Sequence, residues 1–159
     1  MGAAGGPHRG TFLGAAAVVV ALDQLTKHWA LSALADGPVD LVWSLRLNLV
    51  FNDRAAFSLG GGGNTAVIAS IGLVLVAVLL TMGLGAERRG WALGLGIVLG
   101  GALGNLVDRA FRAGDGFLGG RVVDMVDLQW WPVFNLADAA LWVGIGVLAL
   151  DSLRARDPQ

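Results

Sequence analysis

Several residue types that carry common chemistries are absent or scarce in this sequence of 159 residues. There is no cysteine, which excludes disulfides, thiolate catalysis and cysteine-ligated metals. The two histidines, His8 and His28, stand far apart without neighbouring ligand residues, so no zinc site is predicted. Lys and Arg form no long cluster and the formal net charge is −1, which argues against nucleic-acid binding. We expect no zinc site and no nucleic-acid partner.

Hydrophobic residues, in contrast, make up 55% of the chain, and charged residues only 14%. A small soluble domain leaves much of its surface exposed and could not bury so many apolar side chains. The 25 glycines suit helices that pack closely in lipid. The composition therefore predicts one integral membrane domain over residues 1–159.

Four segments approach the length of about 20 largely apolar residues that crosses a bilayer. They are residues 11–34, 65–85, 91–110 and 134–150. Between the first two, residues 36–63 alternate like short strands and end in the loop-forming glycine run 60–63. The prediction is an all-α polytopic membrane protein with four transmembrane helices and a small strand-containing part outside the membrane.

The distribution of arginine predicts the orientation in the membrane. One side has closely spaced basic residues: Arg9, Arg88, Arg89, Arg154 and Arg156. The other side has Arg46, Arg54, Arg112 and Arg121, spread over longer loops. This pattern favours both termini in the cytoplasm, with Trp43, Trp130 and Trp131 near the outer interface.

A second interpretation of the first segment is a cleavable signal peptide. Arg9, an apolar run and the small residues at 33–35 resemble one. Asp23 and Lys27, however, lie between the apolar run and that cleavage site, where strongly polar residues are unusual.

Ionisable residues within these segments require a reason, because each costs about 2.5–3.5 kcal/mol on insertion. Asp23 and Lys27 are spaced i, i+4 with the acid first, which favours a structural ion pair. In the third segment Asn105 and Arg109 share a helix face, and Asp108 lies one turn from Asn105. These three either bind a substrate or hold the end of the bundle together. They follow a stripe of small residues, Gly96, Gly100 and Gly104, which predicts close helix packing.

Two further aspartates lie near the start of the fourth segment. Asp138 lies about one turn inside it, on the same face as Asn135, and Asp124 lies in the apolar run 122–126 of the preceding loop. The two carboxylates can meet if that loop folds back, although such a pair is more often structural than catalytic. Asp115 and Asp127 in the same loop are expected to be solvated.

Five sequence blocks together resemble a known family. They are DQLTK at 23–27, Asn52 with AAFS at 55–58, GGALGNLVDR at 100–109, VVD at 122–124 and FNLAD at 134–138. In this order, and over nearly the whole chain, they resemble the bacterial lipoprotein signal peptidases, or signal peptidase II. One departure is Arg54, where the family usually has glycine. Because glycine permits backbone angles that arginine disfavours, the loop shape there stays open.

The resemblance implies that Asp124 and Asp138 are the catalytic pair of an aspartyl endopeptidase that needs no metal or cofactor. Its substrate would be a diacylglyceryl-prolipoprotein, cut on the N-terminal side of the lipidated cysteine. Four further residues would line the site and bind the substrate backbone: Asn52, Asn105, Arg109 and Asn135.

The resemblance also implies a location, the bacterial cytoplasmic membrane, with the active site near the outer face. Membrane lipid would surround a monomer, and the second and fourth helices would hold the signal helix and acyl chains. Residues 36–63 would form an outer β-rich cradle, with the glycine run as a mobile edge.

Two other classes of function are considered beside the peptidase. A small proton-coupled transporter or channel subunit would use Asp23, Asp108 and Asp138 as a relay, with essential acids at several depths. A non-catalytic assembly factor would keep its function when both Asp124 and Asp138 are replaced by asparagine.

Overall fold

The fold consists of helices that pack around a central helix, with a small sheet at one end. The computed structural model describes residues 7–52, 65–114 and 118–156. In chain order the elements are α1 (Arg9–Ala33), β1 (Val39–Val42), β2 (Leu45–Asn52), α2 (Thr65–Leu84), α3 (Arg89–Phe111), β3 (Val122–Asp127) and α4 (Leu136–Arg156). The predicted helical fold with a small β part is confirmed.

The helix bounds differ from the apolar segments at their ends. In particular, α4 begins at Leu136 and continues to Arg156, beyond the predicted end at residue 150. Helical hydrogen bonding continues into polar residues, whereas apolar composition marks only the part suited to hydrocarbon.

Helix α3 is central and contacts α1, α2 and α4. The predicted stripe of small residues faces α1. A Cβ atom added at Gly96 would collide with the backbone oxygen of Phe12, and one added at Gly104 would lie 2.6 Å from Oδ2 of Asp23. The absence of side chains on this face of α3 lets the two helices approach closely.

Gly101 gives a test of the packing between α3 and α4. A Cβ atom there would lie 2.6 Å from the backbone oxygen of Ala137, which cannot swing away as a side chain can. We expect Gly101→Ala to lower the free energy of unfolding by about 1–3 kcal/mol through overpacking. Gly146→Ala on α4 is the matched control, because nothing lies within 4 Å of its added Cβ. An SDS titration followed by tryptophan fluorescence measures both; equal losses would contradict this account.

The three strands form one antiparallel sheet in the order β1-β2-β3. The prediction that Asp127 is solvated is wrong, since it is 3% exposed. It is the cross-strand partner of Arg46, whose Nε donates a hydrogen bond of 2.7 Å to Asp127 Oδ2. This bond holds the pKa of Asp127 below its usual range. The predictions for Arg54, Asp115 and residues 60–63 lie outside the described residues.

Apolar side chains cover much of the outer helix surface. Leu25, Val74 and Trp142, from three different helices, are all exposed, as are many of their apolar neighbours. Within the described ranges, two helices are long and apolar enough to cross a membrane, Arg89–Phe111 and Leu136–Ala155, and the Ser70–Leu84 part of α2 is a shorter apolar stretch. Exposed apolar surface of this extent indicates a non-aqueous surrounding.

Candidate active site

Asp138 is held at the start of α4 by a reciprocal pair of hydrogen bonds. The backbone N–H of Asp138 donates to Oδ1 of Asn135 at 3.0 Å. In return, the N–H of Asn135 donates to Oδ2 of Asp138 at 3.3 Å. This arrangement is a capping box, in which Asn135 caps the helix and the acid three residues later completes the pair. The local sequence therefore orients both side chains.

Asp124 lies on β3, and the pairing of β3 with β2 decides which side chain lies beside it. In the ladder between β2 and β3, Val50 pairs with Asp124, and the register shifts between Leu47 and Val50. The shift adds one residue to β2 and reverses the face on which the later side chains lie. Asn52 thereby shares the face of Asp124, and its Nδ2 donates a hydrogen bond of 2.9 Å to Asp124 Oδ2.

The two aspartates meet in one hydrogen-bond network. Nδ2 of Asn135 donates to Asp124 Oδ1 at 2.6 Å, and Nδ2 of Asn105 donates to Asp138 Oδ1 at 2.8 Å. Asn135 also donates to Oδ1 of Asn105 at 3.0 Å. With the capping box and Asn52, each oxygen of both carboxylates accepts a hydrogen bond from nitrogen.

The environment of Asp124 favours its protonated form. Burial, with the residue 1% exposed, raises the pKa of Asp124 to about 6, and the charge of Asp138 adds to this effect. The hydrogen bond from Asn52 opposes the rise. A carboxyl group with this pKa can exchange a proton near neutral pH, as general acid–base chemistry requires.

A buried ion cluster lies directly behind the two aspartates. Nζ of Lys27 is 2.8 Å from Asp23 Oδ2 and 3.0 Å from Asp108 Oδ2, and all three side chains are fully buried. Asp108 Oδ2 also accepts the N–H of Val123 at 3.0 Å. Asp23 Oδ1 accepts the N–H of Ala137 at 2.9 Å. Each carboxylate of the cluster thus holds the backbone next to one aspartate of the pair.

The remaining predicted site residue, Arg109, follows Asp108 on α3 and is 8% exposed. Sequence reasoning missed two other members of this end of the bundle. Gln24 donates to Asp23 and to Asp108 Oδ1, and Nε of Arg112 lies 2.8 Å from Asp108 Oδ1. The i, i+4 spacing of Asp108 and Arg112 was the available signal.

The cluster bears on the signal-peptide interpretation of the first segment. Cleavage after α1 would remove Lys27, the fully buried cation beside Asp108. An uncompensated buried charge costs several kcal/mol. The contacts therefore favour a retained helix.

The depths of the acids bear on the transporter interpretation. In the part of the chain that the structure describes, the three acids of that relay, Asp23, Asp108 and Asp138, lie in one polar network: Lys27 contacts Asp23 and Asp108, and Asn105 bonds to both Lys27 and Asp138. A relay with acids at several depths is not supported.

The fold is shared with two solved structures of bacterial membrane enzymes. One is 23% identical in sequence, with a TM-score of 0.77, and the match covers 93% of this chain and 90% of that one. The other is 24% identical, with a TM-score of 0.73, and the match covers 91% of this chain and 93% of that one. This fold and the exposed apolar surface together define the class as a helical membrane protein.

The family follows from sequence comparison. The family model described as signal peptidase (SPase) II matches residues 15–154. The lipoprotein signal peptidase of Rhodococcus jostii (strain RHA1) is 44% identical over 145 residues, which is 90% of this chain and 72% of that protein. That of Mycobacterium avium (strain 104) is 44% identical over 147 residues, 91% and 80%. The chain belongs to the signal peptidase II family, as the sequence blocks predicted, and it is a peptidase.

Proposed function

We propose that the chain is an aspartyl endopeptidase that removes the signal peptide from diacylglyceryl-modified prolipoproteins. The bond cut is the one on the N-terminal side of the lipidated cysteine. The observation that carries this proposal is the network in which Asn135 donates to both Asp124 and Asp138, and to Asn105, which in turn donates to Asp138. Membership of the signal peptidase II family supports the choice of substrate.

The mechanism uses the two carboxylates and one water molecule. Two carboxylates held close together cannot easily both ionise, so the pair shares one proton. The ionised member takes a proton from the water, which attacks the scissile carbonyl. The protonated member polarises that carbonyl and then gives its proton to the leaving amine. The steps are the same whichever of the two carboxyl groups carries the shared proton when the substrate is bound.

In this mechanism the surrounding polar residues contact the substrate backbone. Asn52, Asn105 and Asn135 adjoin the carboxylates, and Arg109 belongs to the same turn of α3 as Asp108. An extended peptide presents N–H and C=O groups that these side chains can match. The sheet formed by β1 and β2 serves as the outer cradle of the substrate.

All four helices cross the membrane in the proposed topology, within one domain spanning residues 1–159. The polar residues Asp23 and Lys27 of α1 are 0% exposed and so do not face lipid. Arg9 Nε bonds to Leu84 O and Arg88 pairs with Asp151, which puts the arginine-rich ends of all four helices together. That end faces the cytoplasm, following the positive-inside rule. The protein works as a monomer surrounded by lipid.

The active site then lies near the outer face of the bacterial cytoplasmic membrane. Trp43, Trp130 and Trp131 are exposed on the connections at the sheet end, and Gln129 Nε2 donates to Ser44 O to join the loops that carry them. Exposed tryptophan is typical of the membrane interface.

Cleavage of a defined precursor tests this proposal. The purified protein in lipid vesicles receives one prolipoprotein in two forms, with and without diacylglycerol on its cysteine, and mass spectrometry identifies the products. We expect the lipidated form to be cut before the cysteine, roughly 100-fold faster than the other, because remote binding energy accelerates the step. A chelator should have no effect. Equal rates for both forms, or cleavage at another bond, would contradict the substrate assignment.

A further inference from the structure

Lys27 contacts the catalytic network as well as its two carboxylate partners. Besides Asp23 and Asp108, its Nζ donates a hydrogen bond of 3.0 Å to Oδ1 of Asn105. A longer bond of 3.4 Å runs to the backbone oxygen of Gly104. Every partner of this fully buried ammonium group is an acceptor, because an ammonium group has only donors.

This contact decides which way the Asn105 amide points. The oxygen and nitrogen of a carboxamide are nearly isosteric, and only hydrogen bonding distinguishes them. Since Lys27 can only donate, the oxygen of Asn105 must face it, and Nδ2 must face Asp138 Oδ1 at 2.8 Å. The reversed amide would set NH₂ against an ammonium group and oxygen against a carboxylate.

Asn135 is oriented by the same rule. Its Oδ1 accepts the backbone N–H of Asp138, so its Nδ2 is available to donate to Asp124 Oδ1 and to Asn105 Oδ1. The oxygen of Asn105 therefore accepts two donors, Lys27 and Asn135.

We propose that Lys27 is a positioning residue for catalysis, which acts through Asn105 by fixing the direction of the hydrogen-bond chain from Lys27 to Asn105 to Asp138. This inference rests on the proposed function, because it assumes that Asp138 is catalytic. It assigns Lys27 a role beyond its ion pair with Asp23. Without Lys27 the oxygen of Asn105 keeps only the donor from Asn135. The amide is then held less firmly, and Asp138 loses, for part of the time, the donor that holds it in the reactive geometry.

The charge of the cluster complicates a simple replacement. Asp23 and Asp108 face Lys27 from α1 and α3, and Arg112 lies 2.8 Å from Asp108. Lys27→Met alone leaves an excess of buried negative charge, which is strongly destabilising. The combination of Lys27→Met with Asp23→Asn removes one charge of each sign and keeps an amide oxygen to accept the N–H of Ala137.

The experiment is a cycle of variants, measured as kcat and KM for the lipidated precursor. We call the combination of Lys27→Met with Asp23→Asn the charge-balanced Lys27 variant. This variant and Asn105→Leu are each expected to lower kcat about 30- to 100-fold, since small misplacements of a reacting group have effects of this size. KM should stay within about threefold. If Lys27 acts through Asn105, adding Asn105→Leu to the Lys27 variant lowers kcat by less than about threefold more.

Three outcomes would overturn the inference. The first is a folded Lys27 variant whose kcat stays within threefold of wild type. The second is full multiplication of the two losses in the combined variant, which would mean that Lys27 and Asn105 act independently. The third concerns the case in which the Lys27 variant does not fold. Asn105→Leu is then measured alone, with the ion cluster intact, and a kcat equal to that of wild type would overturn the inference.

Hydrogen exchange of the Asn105 side-chain amide separates this inference from the proposed function. In wild-type protein labelled with ¹⁵N-asparagine, these protons should exchange slowly, and in the charge-balanced Lys27 variant at least tenfold faster. Unchanged exchange overturns the role of Lys27 whether or not the protein cleaves the precursor. A wild-type protein that does not cleave contradicts the proposed function instead.

Discussion

Replacing either Asp124 or Asp138 by asparagine is expected to lower kcat for the lipidated precursor by about 10²–10⁴-fold. Proton transfer by a positioned group contributes an acceleration of this order, and asparagine can neither take nor give the required proton. Because the two residues act as one unit, the double variant should be little worse than either single variant. The measurement is cleavage in lipid vesicles, followed by mass spectrometry under single-turnover conditions.

Glu87→Gln is the matched control for this pair. Glu87 is exposed between α2 and α3, at the end of the bundle away from the sheet, so the loss of its charge should leave kcat within about twofold. Unfolding curves show whether the variants with asparagine at 124 or 138 are still folded. If one folded variant keeps near-full activity, the aspartate replaced in it is structural. If both do, the alternative of a non-catalytic assembly factor is favoured over the peptidase.

The stability of the protein should depend on pH through Asp124. Its folded-state pKa of about 6 lies above the ordinary value of 3.8, so the native state binds this proton more tightly than the unfolded state. The resulting stabilisation is fully present below about pH 4 and is lost as pH rises through about 6. From this shift, the loss between pH 4 and pH 7.5 is about 2 kcal/mol.

Comparison with Asp124→Asn isolates this contribution from other titrating groups. The variant has no proton to lose at position 124, so its free energy of unfolding should gain about 2 kcal/mol relative to wild type between pH 4 and pH 7.5. An SDS titration at both pH values, read by tryptophan fluorescence, measures the difference. A difference between wild type and variant that is the same at both pH values would show that Asp124 is not perturbed.

The sequence made the helices predictable because a bilayer requires long apolar segments, and these stand out in composition alone. It also made the local geometry of α4 predictable, since Asn135 and Asp138 are close in the chain and form a capping box without help from other elements. The family was recognisable from five ordered blocks, and the comparisons confirmed it.

The sequence failed where pairing between distant segments decides the environment. Asp127 looked like a loop residue, but β3 pairs with β2 and brings Arg46 beside it. Strand pairing joins residues far apart in the chain, and the apolar run at 122–126 does not show which strand it meets. The exposed position expected for Asp127 was therefore wrong.

What the sequence determined by itself was the class of molecule: apolar helices, the buried-charge spacing of Asp23 and Lys27, and the residues available for chemistry. Only the tertiary structure decided how those residues face one another. The register shift in β2 turns Asn52 towards Asp124, and Lys27, from α1, sets the direction of the Asn105 amide on α3. The physical reason is that a side chain's face and an amide's direction depend on contacts between elements, which the order of residues in the chain does not contain.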